Sequence, residues 1–78
     1  MILEFQNSKG QRREISKPHN IKEMWSDINK FLDEHNFTSY YSRINFEENE
    51  WEIDVGSHTE FFYVTEFTDN DLQELRKD

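Results

Sequence analysis

Seventy-eight residues with a formal charge of −8 and no cysteine support one domain and rule out disulfides and cysteine-based zinc sites. The acidity argues against direct nucleic-acid binding, which needs a basic footprint. Residues 1–7 are too short and too polar for a secretion signal, and no apolar run nears the ~20 residues of a membrane span, so a soluble protein of the cytoplasm is expected, with no membrane contact.

Only 33% of the chain is hydrophobic, yet 15% is aromatic, so a few large side chains must build the core. Residues 2–16 read as a hairpin. The run Asn7-Ser8-Lys9-Gly10 suits a three-residue loop with Gly10 in the left-handed position, and pairs Asn7 with Gln11. Leu3 then falls opposite Ile15 and Phe5 opposite Arg13, placing Leu3, Phe5 and Ile15 on one face. Lys9, Arg12 and Arg13 gather near the tip as a soluble hairpin end or a minor basic contact. Pro18 then keeps Lys17 out of helical conformation and sets the earliest start of a helix.

Residues 21–35 give the clearest signal. Ile21, Met24, Trp25, Ile28, Phe31 and Leu32 recur at steps of three and four, one face of a helix. Asn20 is placed to cap it, Glu23 to complete a capping box, and Asn36 to take the left-handed turn at its end. A second hairpin follows over 38–46 and 50–55. Pairing Phe46 with Trp51 also pairs Ile44 with Ile53 and Arg43 with Asp54. The face carrying Ile44, Phe46, Trp51, Ile53 and Val55 is expected beneath the helix.

Residues 59–65 form a further strand that is apolar on both sides, Phe61 and Tyr63 one way and Phe62 and Val64 the other. One side meets the helix, and the other needs a cover: the last helix, another subunit or a partner. That last helix spans 69–77, with Thr68 as cap, Asp69 and Asp71 in its first turn, and Phe67 placed to staple onto Leu72. The order ββαβββα defines an α+β domain over residues 1–78, with an antiparallel sheet built from two hairpins plus one strand.

Catalytic chemistry is hard to find. His19, His35 and His58 have no ligand spacing. Ser57-His58 lacks a nucleophile elbow. Asp69-Asn70-Asp71 lacks the glycine and distal glutamate of a calcium loop. Two glycines cannot make a phosphate-cradling loop. Neither an enzyme nor a metal or cofactor site is expected.

Charge is the stronger clue. Residues 1–45 hold seven Lys/Arg and six Asp/Glu, a net of +1, whereas residues 46–78 hold two and eleven, a net of −9. Such asymmetry speaks of partners. Glu50, Glu52 and Asp54 share one side of a strand at ~6.6–6.8 Å spacing, comparable to successive phosphates along a DNA strand. Glu47, Glu48 and Glu60 extend the surface, and Tyr41 and Phe62 are the candidate aromatic anchors. These eight residues are the expected partner-binding set. Solubility alone is the plain alternative, since small domains commonly carry a net charge of magnitude ~2–8.

Two stretches, Phe31-Leu32-Asp33-Glu34-His35-Asn36-Phe37-Thr38-Ser39-Tyr40-Tyr41 and Ile53-Asp54-Val55-Gly56-Ser57-His58-Thr59-Glu60-Phe61-Phe62, resemble small uncharacterised proteins of phages and mobile elements of low-GC Gram-positive bacteria. In size and acidity alone the chain is similar to anti-CRISPR proteins that imitate DNA. The resemblance carries no site residue. A phage-type origin adds to what the acidic half-chain and the two-sided aromatic strand suggest: an accessory protein expected to inhibit a host nucleic-acid-handling protein, such as a CRISPR nuclease or another basic DNA-binding protein. The alternative is a homodimeric assembly module, paired through an uncovered face around Phe62 and Val64, with its acids serving only solubility.

Overall fold

The computed structural model describes residues 1–39 and 42–76. Its elements run β1 (Ile2–Gln6), β2 (Arg12–Ser16), α1 (Ile21–Glu34), β3 (Arg43–Phe46), β4 (Trp51–Asp54), β5 (Phe61–Thr65) and α2 (Asp69–Leu75). The strands form one antiparallel sheet in the order β2-β1-β5-β4-β3. The α+β architecture and its ββαβββα order are those anticipated. The last strand in the chain lies at the centre of the sheet, between the first strand and β4. The connection through α1 must therefore travel from one edge of the sheet to the other. A 14-residue helix spans about 21 Å, and five strands span about 19 Å between the outer two.

Local chemistry sets the boundaries. Asn7 closes the first turn through its backbone, donating to Gln11 O at 3.0 Å, and through its side chain, which accepts from the N–H of Lys9 and Gln11. Gly10 takes φ 80° there, a left-handed value that costs glycine little. Asn20 Oδ1 accepts from Glu23 N at 2.8 Å and starts α1. Asn36, at φ 53°, ends it. Thr68 and Asp71 form a reciprocal capping box at α2.

Both hairpin registers follow from their loops, with one departure. Phe5 faces Arg13, but Leu3 faces Ser16 rather than Ile15, because the register shifts between Leu3 and Glu4. The extra residue in β2 is a bulge. It lets Ser16 donate to Asp27 Oδ2 on α1 at 2.8 Å while Ile15 still packs against the core. In the second hairpin Phe46–Trp51, Ile44–Ile53 and Arg43–Asp54 pair as expected. Its first strand is shorter than 38–46 and begins at Arg43.

The hydrophobic core lies on one side of the sheet. Leu3, Trp51, Ile53, Val55, Phe62 and Val64 meet Ile21, Met24, Ile28 and Leu32 of α1. Phe5, Phe31 and Phe62 form a ring cluster with centroids 4.5–5.5 Å apart. Phe67 stacks on Trp51 at 4.2 Å and carries the chain into α2. Leu72 and Leu75 then pack against the same core. Phe46 belongs to this side but stays 46% exposed at the edge, beneath the guanidinium of Arg76.

Phe62 and Val64 are completely buried. The uncovered side of β5 is therefore the one with Phe61 and Tyr63, a correction to the expectation that a dimer face would form around Phe62 and Val64. The choice was open in the sequence because both sides of the strand are apolar. It is decided by cross-strand neighbours: Phe62 and Val64 pair with Phe5, Leu3, Ile53 and Trp51.

Candidate partner-binding face

The side of the sheet away from α1 is a polar surface, and strand alternation assigns its residues. Leu3 and Phe5 face the core, so Glu4 and Gln6 face outward. Glu4 pairs with both Glu14 and Tyr63, Tyr63 with Glu52, and Glu52 with Asn45. One row across five strands thus reads Glu14, Glu4, Tyr63, Glu52, Asn45. Two glutamates directly opposite each other are unfavourable unless a cation lies near.

Arg12 is that cation. From the edge strand β2 it lies over the Tyr63 ring, its Cζ 3.5 Å from the centroid. Nη1 donates to Glu50 Oε2 at 2.7 Å, Nη2 to Glu50 Oε1 at 3.3 Å, and Nε to Gln6 Oε1 at 3.3 Å. Bidentate pairing and stacking on an aromatic face are the contacts a guanidinium makes well and an ammonium does not. The hydrogen bond to Glu50 holds the Arg12 pKa above its usual value, and the charges of Glu50, Tyr63 and Glu4 add to this.

Tyr63 is 6% exposed although it faces the open side, because Arg12 covers it. Its hydroxyl donates to Glu52 Oε2 at 2.9 Å, and Asn45 Nδ2 donates to Glu52 Oε1 at 3.0 Å. Burial raises the Tyr63 pKa, and the bond to Glu52 raises it further. Asp54 is 8% exposed. Its Oδ1 accepts from Gly56 N at 2.9 Å, and its Oδ2 lies 3.6 Å from Arg43.

The eight residues proposed from sequence divide accordingly. Glu50, Glu52 and Asp54 share the open face, but none is a bare carboxylate, since each is engaged by the protein's own Arg12, Tyr63 with Asn45, or Arg43 and a backbone N–H. Glu47 and Glu48 are exposed in the turn between β3 and β4. Glu60 is elsewhere: with Phe5, Leu32, His35, Phe37 and Val55 it lines a cavity of about 230 Å³ on the helix side. Phe62 is core and cannot anchor a partner. Tyr41 lies outside the described residues.

The sequence reading missed Glu4, Glu14, Arg12, Tyr63 and Phe61 as members of this face. Alternation within the first hairpin was the available signal for Glu4 and Glu14. The Arg12–Glu50 contact joins residues 38 apart and depends on β5 sitting beside β1. The expected basic cluster at the hairpin tip does not form. Arg12 turns to the open face, while Arg13 turns to the helix side, 5.7 Å from the Phe31 ring centroid.

Two of the three histidines are engaged locally. His35 Nδ1 lies 2.8 Å from Phe31 O at the helix end, and its ring stacks on Phe31. His19 bonds Glu23 at 3.1 Å and draws the Glu23 pKa below its usual value. Among the described residues no group of three or more His, Asp or Glu is placed to hold a metal ion, and no helix is long and apolar enough to cross a membrane. No protein family, curated protein or solved structure matches this chain.

Proposed function

We propose that this is an acidic, non-catalytic binding protein whose open sheet face, with the adjoining β3–β4 turn, engages a basic surface on a protein that handles nucleic acid. The observation that carries the reading is the charge left over on that face. Among the described residues of that face, Glu4, Glu14, Glu50, Glu52 and Asp54 stand against only Arg12 and Arg43. Glu47 and Glu48 add exposed carboxylates at its border. Such an excess attracts a cationic surface and steers its approach. A second copy of the same face would be repelled, which disfavours self-pairing there.

Inhibition of a phage-targeting nuclease by imitation of DNA is the narrower form. It draws on Glu47, Glu48, Glu4 and Glu14 more than on the internally engaged Glu50 and Asp54. The test is competition between this protein and duplex DNA for a CRISPR nuclease, measured at 50 and 300 mM salt. Competition should weaken steeply with salt and fall further in the doubly reversed variant Glu47→Lys/Glu48→Lys. Binding that ignores both salt and charge reversal would discard the electrostatic reading.

A further inference from the structure

We infer that Arg12 holds the place of an arginine presented by the partner, and that docking proceeds by exchange of one guanidinium for another on Tyr63 and Glu50. This rests on the binding role proposed above and names the chemistry of the contact. The cradle has a flat aromatic floor 3.5 Å below the guanidinium carbon. A carboxylate accepts two N–H bonds in fork geometry, and the amide oxygen of Gln6 accepts a third. Those parts recognise a planar five-donor cation and suit the compact ammonium of lysine poorly.

The present occupant is easily released. Arg12 sits on an edge strand with 37% of its side chain exposed, and an ion pair so open to water is a weak one. Once freed, Arg12 does not lose its surroundings, because Glu14 is two residues along the same strand and Glu4 is the cross-strand partner of Glu14. Among the described residues Glu4, Glu14 and Glu52 form no ion pair with lysine or arginine. The face therefore has carboxylates for both guanidinium groups, its own and the newcomer's. This double capacity favours a cationic protein over a second copy of the chain, which would bring more acids.

The test uses labelled octa-arginine and octa-lysine peptides and reads their affinity by fluorescence anisotropy at low salt. The variants are Arg12→Ala and, as a charge-matched control on the opposite face, Arg13→Ala. Exchange requires that R12A bind octa-arginine at least threefold tighter than R13A does. The gain should be smaller for octa-lysine and vanish in the double variant Arg12→Ala/Glu50→Gln. Arg12→Gln repeats the comparison should the alanine variant fail to fold. Equal affinities for R12A and R13A would overturn the exchange and leave Arg12 a fixed clasp. Salt-sensitive binding by both would still uphold the acidic binding role. Absence of binding by every variant would remove both.

Discussion

Phe61 and Phe62 are adjacent in the chain and identical in chemistry, yet the sheet treats them differently. Phe62 has no exposed surface and lies among the rings of Phe5 and Phe31. Phe61 is half-buried on the side without a helix, beside Tyr63. The helix side solves its hydrophobic problem with hydrocarbon, ten buried apolar residues pressed together. The open side uses long polar side chains, the stem and head of Arg12 covering Tyr63. A small domain can shield an aromatic residue by either route, but only the first contributes strongly to stability. The second leaves a surface with chemistry on it.

That contrast can be broken first at β5. Phe62→Ala should cost about 3–5 kcal/mol, a large share of what a core of this size supplies. Urea unfolding followed by the fluorescence of buried Trp51 would then show little folded protein. Phe61→Ala should cost under about 1 kcal/mol, as surface changes usually do. Equal losses would mean that the open side is as tightly packed as the core.

A smaller effect tests the helix side alone. Asn20→Ala removes the acceptor that satisfies Glu23 N and should cost about 1 kcal/mol, seen as a lower urea midpoint with an unchanged slope. The open side should answer to alkali. The folded protein holds the Tyr63 proton more tightly than the unfolded chain does. Stability from this source is therefore complete below the ordinary tyrosine pKa near 10 and is lost as pH rises through the higher folded value. Tyr63→Phe should flatten this alkaline decline, the smallest of the three effects. A decline unchanged in the variant would place its origin elsewhere.

Legibility in the sequence follows the same division. The helix could be read because Ile21, Met24, Ile28 and Leu32 repeat with its period and Asn20 caps it. Both hairpins could be read because Gly10 and the Phe46–Trp51 spacing fix their turns. The bulge at Ile15 could not, since the unbulged pairing with Leu3 is equally apolar. Nor could the orientation of β5, whose two sides look alike until their neighbours are known. The acidic composition of the site was plain, as was the pairing of Arg43 with Asp54, but the pairing of Arg12 with Glu50 was not. The partners Arg12 and Glu50 meet only because β5 inserts between strands from distant parts of the chain.

That insertion has a consequence for synthesis. Leu3 is made some sixty positions before its sheet neighbour Val64. The β1–β2 hairpin is made with its inner surface unsealed, and the sheet closes only when β5 arrives. Long-range closure of this kind slows folding. Nascent chains stalled before Phe61 should accordingly be open to proteases and chaperones, and those released after Thr65 should not.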